Sequence, residues 1–248
     1  HVEEGAITKA KKLAELKADY SEFGTRRRFS FDVQDKVVHC LKENSKAYFK
    51  GTSNIYLAMK HDTTPMGTMP HEWFMYHGAM FGYRAANVKA LEAWVNVFGG
   101  SLGITLTDTY TTDSFFDSFN LKQAKLFDGL RWDSGDPFEF IDKTIQFYKE
   151  HRIDPTSKTV VFSDSLNLDM VERIKRHVNN RLHDTYGIGT FFSNDVGAKP
   201  LNMVIKLTDV KRSPQGEYHR AIKLSDVHGK NTGDQKEIAI CKMTLGLE

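Results

Sequence analysis

Phe127-Asp128-Gly129-Leu130-Arg131-Trp132-Asp133-Ser134-Gly135-Asp136-Pro137 begins as a short apolar strand end and runs into a polar loop. From Asp128 onward it gathers three carboxylates, an Arg and two Gly ahead of a helix that starts near Pro137. Carboxylates in such a loop can accept ribose hydroxyls or approach a phosphate-bound Mg2+, and Arg131 can stack on a flat heterocycle. One acid can instead cap the helix, and Asp136 before Pro137 suits that role.

The same sequence of strand, polar punctuation and helix recurs along the chain. Strand ends are predicted at Glu22-Phe23-Gly24, Tyr48-Phe49-Lys50-Gly51, Ile104-Thr105-Leu106-Thr107, Phe127-Asp128-Gly129-Leu130, Thr159-Val160-Val161-Phe162 and Thr185-Tyr186-Gly187-Ile188-Gly189. Helical patterns follow at about 30–42, 72–98, 112–124, 137–151 and 167–178, and Ile7, Leu13 and Leu16 give a helical pattern at the start. Such alternation predicts an α/β fold with a parallel sheet. Polar motifs on successive strand ends favour a barrel, which brings them to one mouth; no convincing GxGxxG opens a nucleotide fold. From about residue 203 the pattern changes. Met203–Leu207 and Ala221–Leu224 read as two strands around the turn-rich Arg212-Ser213-Pro214-Gln215-Gly216, pairing with a sheet outside the barrel.

Gly67-Thr68-Met69-Pro70-His71-Glu72-Trp73 places a histidine at the first turn of a long helix over 72–98, marked by Val88, Leu91, Val95 and Phe98. Thr68 can cap this helix and Pro70 suits its first turn, so His71 meets the positive dipole end. A neutral imidazole there has a lone pair for a phosphorus centre or a proton; the alternative is a histidine that merely packs. Glu22-Phe23-Gly24-Thr25-Arg26-Arg27-Arg28 sets a ring and three guanidinium groups on one turn, as a phosphorylated substrate would need, or else forms a solvated basic cluster. Gly51-Thr52-Ser53-Asn54 can hold a carboxylate or serve only as a turn with a cap. Phe162-Ser163-Asp164-Ser165 presents an acid directly after a strand. Tyr186-Gly187-Ile188-Gly189-Thr190 offers glycine amides for a phosphate, although a lone GxGT is weak evidence.

The 248 residues carry a net charge of +2 with 27% charged side chains, and no sustained basic stripe suggests nucleic acid. Cys40 and Cys241 fit no metal spacing and read as reduced thiols. No apolar run is long enough for a bilayer, so a cytoplasmic protein is the expectation. The chain opens on His1 without an initiator Met and closes on Leu247-Glu248, a pair often left by a cloning site, so a piece of a longer polypeptide is expected.

Taken in order, FGTRRRFS, GTSN, GTMPHEW, TDTY, GLRWDSGDP, FSDS, YGIGTFFSND and KLSD strongly resemble the nicotinate phosphoribosyltransferase family from about residue 20 to 230. The resemblance implies a type II phosphoribosyltransferase, an irregular α/β barrel over 1–202, with 203–248 returning as strands to an adjoining α/β sandwich that is largely missing here. It implies transfer of phosphoribose from phosphoribosyl pyrophosphate to nicotinate in NAD salvage. It further implies ATP as a co-substrate through a phosphohistidine, which would class the enzyme as a ligase, and Mg2+ held by substrate phosphates. It implies a homodimer that shares its active site, and this piece alone is expected to be weakly active or inactive.

By motif, His71 resembles the phosphorylated residue and Asp108 the acid that orients it. Phe23 and Arg131 resemble the pair that sandwiches the pyridine ring, and Arg26 a phosphate contact. Asp133, Ser163 and Asp164 would meet ribose or metal–pyrophosphate, with Asp133 the candidate metal contact. Gly187, Gly189 and Thr190 would hold the 5′-phosphate, and Thr52, Ser53 and Asn54 a ring substituent. The nicotinamide-using relative has an Asp at the position aligned with Ser53, so Ser53 points to nicotinate. The quinolinate enzyme shares the barrel but lacks the ATP-coupled histidine. A non-catalytic pyridine-nucleotide-binding barrel would have no need of His71, Asp108 and Asp133 together.

Overall fold

The computed structural model describes residues 1–45, 47–227 and 229–247. Helix α1 (Val2–Glu15) leads to strand β1 (Asp19–Glu22), helix α2 (Phe31–Asn44), strand β2 (Phe49–Thr52) and the short helix α3 (Ile55–Lys60). Next come α4 (His71–Phe81), α5 (Tyr83–Phe98), β3 (Ile104–Leu106), α6 (Thr112–Ser118), α7 (Leu121–Leu126), β4 (Gly129–Trp132) and α8 (Pro137–Glu150). Strand β5 (Thr159–Phe162), α9 (Leu168–Val178), β6 (His183–Ile188) and α10 (Thr190–Ser193) follow. The last elements are β7 (Asp209–Lys211), β8 (Tyr218–Arg220) and α11 (Gln235–Leu245). The class is α/β, as expected, and each of the six predicted strand ends falls on a parallel strand.

The chain folds as two compact units, His1–Gly67 with Thr159–Val204 and Thr68–Lys158 with Ile205–Glu248. In the first unit, parallel strands run in the order β2-β1-β6-β5. Tyr20 pairs with Phe49 on one side and Tyr186 on the other, so β1 is an interior strand. Interior parallel strands are covered on both faces, and Tyr20, Ser21 and Glu22 are all buried. Helices α1 and α2 pack together through Ala6, Ala10 and Leu13 and through Val37, Val38 and Leu41, each set at three- and four-residue spacing. Ser30 starts α2 by accepting from the Val33 amide at 3.1 Å.

In the second unit β3 and β4 pair in parallel, with Leu106 opposite Arg131. Around them stand the paired helices α4 and α5, with α11 packed on α5. Phe119 stacks on Phe115 and Phe147 at ring-centre distances of 4.8 and 5.7 Å and gives this unit an aromatic core. Asp136 caps α8 as expected, accepting from the amides of Phe138 and Glu139. Among the described residues no helix is long and apolar enough to cross a membrane.

Three expectations are corrected. The helix predicted over 72–98 is two helices, because Gly82 sits at φ +82° between them and turns the chain. The pattern over 112–124 is likewise two helices, since Asn120 starts α7 with a capping box that includes Gln123. The tail strands lie at Asp209–Lys211 and Tyr218–Arg220, an antiparallel hairpin around the expected turn, rather than at 203–207 and 221–224. Met203, Val204 and Ile205 are exposed. Leu224 is instead pinned singly, its amide donating to the Thr109 carbonyl at 2.8 Å.

Gly82 combines φ +82° with ψ +155°, a region that essentially only glycine occupies, although a Cβ there would meet no atom within 4 Å. Gly82→Ala is therefore expected to cost about 1–3 kcal/mol through backbone strain alone. A thermal melt within error of the parent would show that the α4–α5 corner has another conformation.

Candidate active site

His71 is the first residue of α4, and its imidazole is held at both nitrogens. Nδ1 lies 3.0 Å from Thr109 Oγ1, and Nε2 lies 3.0 Å from Asp133 Oδ2 and 3.8 Å from Asp108 Oδ1. A carboxylate only accepts, so Nε2 carries the proton and donates to Asp133, while Nδ1 accepts from the Thr109 hydroxyl. Burial holds the His71 pKa below its ordinary value of 6.5, against the pull of Asp133 and Asp108. Pro70 is the residue before the helix and contributes no side-chain cap. Nor does Thr68 cap it, because its hydroxyl accepts from Arg131 at 2.6 Å.

Each carboxylate has its own compensation. Asp133 Oδ1 accepts from Arg131 at 2.7 Å, which fixes the guanidinium that also reaches the Met69 carbonyl at 3.4 Å. Asp108 is fully buried. Its Oδ2 accepts from Ser134 Oγ at 2.5 Å and lies 3.5 Å from Lys223 Nζ, while its Oδ1 has no hydrogen-bond partner among the described residues. Ser225 Oγ donates to Ser134 Oγ at 3.3 Å, and Asp226 accepts from the Thr112 amide and hydroxyl at 2.7 and 2.6 Å. Burial pushes the Asp226 carboxyl above the usual range. A cavity of about 420 Å³, lined by Thr112, Gly135, Asp136 and Asp226, shares Ser134 with this cluster. The donor atoms of His71, Asp108 and Asp133 lie within 4.8 Å of one another, close enough to hold a cation.

The first unit carries a second polar assembly, organised by Glu22 at the end of β1. Its Oε1 accepts from the Gly24 amide at 2.5 Å, and its Oε2 from Gln34 Nε2 at 2.9 Å and Thr52 Oγ1 at 2.6 Å. Thr52 Oγ1 itself accepts from the Asn54 amide at 3.1 Å, so its proton is committed to Glu22. Burial pushes the Glu22 carboxyl upward, and the donors from Thr52, Gln34 and Gly24 oppose it. This carboxylate ties the FGTRRR and GTSN segments together.

Only some of the residues singled out by sequence meet in these two assemblies. Arg131, Asp133, Asp108 and His71 meet in the second unit, where Asp133 rather than Asp108 takes the hydrogen bond from Nε2. In the first unit Thr52 is buried, Asn54 caps α3 and Ser53 is exposed. Arg26 is exposed in a 3-10 turn, whereas Arg27 bonds Asn202 and Arg28 bonds Gln34. Gly187 belongs to strand β6, not to a loop: a Cβ there would lie 2.5 Å from the Phe23 ring, so its missing side chain seats that ring. Gly189 and Thr190 open α10, and Ser163 and Asp164 follow β5 directly, half-buried. Glu22, Gln34, Thr109, Ser134 and Lys223 are not picked out individually by the sequence, and Thr68 is read there only as a helix cap, not as the acceptor for Arg131. The KLSD and TDTY motifs signalled Lys223 and Thr109, but nothing in spacing alone assigned them contacts.

Since folded His71 protonates below 6.5 and an unfolded histidine near it, the unfolded chain binds more protons between those values. Stability is thus expected to fall as pH drops through that window. The His71 ring signals, titrated by NMR, should show a midpoint below 6.5. A midpoint above it would mean that Asp108 and Asp133 outweigh burial and Lys223.

Comparison with known proteins places the chain in a family. The nicotinate phosphoribosyltransferase (NAPRTase) family matches residues 18–247. The nicotinate phosphoribosyltransferase of Chromohalobacter salexigens is 54% identical over 228 residues, covering 92% of this chain and 58% of that protein. That of Desulforapulum autotrophicum is 50% identical over 239 residues, covering 96% and 61%. The crystal structure of nicotinate phosphoribosyltransferase from Porphyromonas gingivalis matches with a TM-score of 0.98 at 46% identity, over 99% of this chain and 64% of that one. The chain spans about three fifths of the length of these curated relatives. With a family match across residues 18–247 and relatives half or more identical over nearly the whole chain, the chain belongs to the nicotinate phosphoribosyltransferase family.

Proposed function

We propose that the protein transfers phosphoribose from phosphoribosyl pyrophosphate to nicotinate, giving nicotinate mononucleotide and pyrophosphate, and that ATP drives the reaction through phosphorylation of His71. The observation that carries this reading is a buried, neutral imidazole at a helix start, with Thr109 on one nitrogen and two carboxylates at the other. For Nε2 to attack the γ-phosphorus, its proton passes to Nδ1, where the Thr109 hydroxyl turns to accept it, and Asp133 gives up its hydrogen bond. The new N–P bond forms as the P–O bond to ADP breaks. Phosphorylation adds close to two negative charges to a cluster that Arg131 and Lys223 now balance, and it favours a rearrangement of both cations.

In the transfer step the pyridine nitrogen bonds to C1′ as the bond to pyrophosphate breaks, and carboxylates near C1′ stabilise the oxocarbenium character. Asp133 and Asp108 fit Mg2+ carried on substrate phosphates, since Asp108 Oδ1 is buried without a hydrogen-bond partner among the described residues. That ion, when bound, neutralises the pyrophosphate leaving group. Phe23 and Arg131 are read as ring contacts, Arg26, Gly187, Gly189 and Thr190 as phosphate contacts, and Ser163 and Asp164 as ribose or pyrophosphate contacts. A homodimer whose neighbour completes the site, and a role in NAD salvage, belong to the same reading.

ATP is expected to leave acid-labile phosphate on the full-length protein and none on His71→Ala. Phosphoribosyl transfer in that variant should slow without vanishing, because coupling and transfer are separate functions. Phosphate persisting at the same stoichiometry in His71→Ala would rule out His71 as the acceptor.

Base preference should reside at Ser53, which is exposed with its amide donating to the Glu22 carbonyl. Ser53→Asp would set a second negative charge about 4 Å from the nicotinate carboxylate, costing about 1 kcal/mol in a water-like dielectric and about 4 kcal/mol at a dielectric near 20. Exposure favours the lower end, so kcat/KM for nicotinate is expected to fall about tenfold relative to nicotinamide. An unchanged ratio would place the GTSN loop away from the carboxylate.

A further inference from the structure

We propose that His71, Asp108 and Asp133 also form a binding site for a transition-metal dication of the zinc type, in which His71 Nε2 is a direct ligand. Three observations point to it.

The first is the donor set. His71 Nε2 lies 3.0 Å from Asp133 Oδ2 and 3.8 Å from Asp108 Oδ1, and His71, Asp108 and Asp133 each offer a ligand atom within 4.8 Å of the other two. Ligands about 2.0–2.1 Å from a tetrahedral zinc stand about 3.3 Å apart, so small side-chain adjustments bring the three atoms to one ion. One imidazole and two carboxylates leave a fourth position open, and the imidazole selects zinc-like ions over Mg2+.

The second is that Asp108 Oδ1 is fully buried, has no hydrogen-bond partner among the described residues, and is the oxygen that faces Nε2. Buried carboxylate oxygens are ordinarily satisfied. Replacing the Nε2 proton with a dication gives Oδ1 a ligand bond in place of a contact too long for a hydrogen bond.

The third is the outer shell. Metal-bound histidines hold their second nitrogen by a hydrogen bond, and metal-bound carboxylates are themselves hydrogen-bonded. Here Nδ1 has Thr109 at 3.0 Å, Asp133 Oδ1 has Arg131 at 2.7 Å, and Asp108 Oδ2 has Ser134 at 2.5 Å. With Nδ1–H donating to Thr109, the ring presents the Nε2 lone pair to the ion.

The ion uses the same lone pair that the phosphohistidine reading assigns to phosphorus, so bound zinc excludes phosphorylation. Only this exclusion rests on that reading. The binding itself rests on the three ligands.

The experiment is calorimetric titration of the full-length protein with Zn2+ in the absence of ATP and substrates, paired with Co2+ absorption spectra. One ion per chain is expected, with a Co2+ spectrum of low coordination number, and millimolar Mg2+ should not displace it. Asp108→Asn and His71→Ala should lose the ion. Thr109→Val, which keeps every ligand, should weaken binding about 10–100-fold. Lys223→Gln removes a cation 3.5 Å from Asp108 and should tighten binding about tenfold, an effect that loss of folding cannot imitate. Zinc binding undiminished in Asp108→Asn and His71→Ala would overturn the proposal, as would an absence of binding in both the parent and Lys223→Gln. If zinc binds as described but ATP leaves no phosphate on His71, the phosphohistidine reading fails and the metal site stands.

Discussion

Two carboxylates withdrawn from water around one imidazole set the terms for the second unit. An ionised carboxylate costs several kcal/mol to bury unless cations and donors surround it. Asp108, fully buried, takes Ser134 and Lys223; Asp133 takes Arg131. Lys223 comes from the segment after residue 205, and that segment is held by the bond from the Leu224 amide to the Thr109 carbonyl. The tail therefore packs with Thr68–Lys158 for an electrostatic reason as well as an apolar one, since Ala221, Ile222 and Leu224 are buried beside Lys223.

The first unit solves a similar problem with neutral donors. Glu22 receives hydrogen bonds from three segments: the turn after β1, helix α2 and the end of β2. Three donors on two oxygens favour the ionised group and oppose the burial that pushes its pKa up. Removing its charge would release the turn that carries Phe23 and Arg26 along with the GTSN loop. Both units thus place one buried acid beside a strand end and hang their loops on it, which gives flexible segments a rigid attachment.

The parallel strands were legible because short segments with apolar residues stop at polar, Gly-rich punctuation ahead of a helical pattern, and each of the six predicted ends falls on a strand. Helix ends were legible where a side chain supplies the cap, as at Asp136, and were missed at Gly82, where the break is backbone conformation rather than pattern. The exposed run 203–207 looked like a strand because β-propensity cannot tell an apolar surface segment from a paired one. At the site, titratable residues stood out and hydroxyls did not. Thr68, Thr109 and Ser134 have no signature of their own; their roles exist only once folding brings Arg131, His71 and Asp108 against them. The need for glycine at 187 was hidden for a related reason: the ring it seats is Phe23, more than a hundred residues earlier in the chain.

Thr109 is the least conspicuous of these residues, yet it decides what Nε2 is free to do. Asp133 only accepts, so while it faces Nε2 it keeps the proton there and the nitrogen cannot act as a nucleophile or a ligand. Thr109 can donate to Nδ1 or accept from it by rotating one hydroxyl hydrogen, so it supports either tautomer without moving a heavy atom. Switching Nε2 from a proton-bearing to a lone-pair-bearing nitrogen therefore requires that its proton pass to Nδ1 and that Asp133 exchange that proton for another positive partner, which a cation supplies. The acid that silences the histidine is the same acid a metal or a metal–phosphate would recruit. That coupling follows from one carboxylate lying between Arg131 and the imidazole.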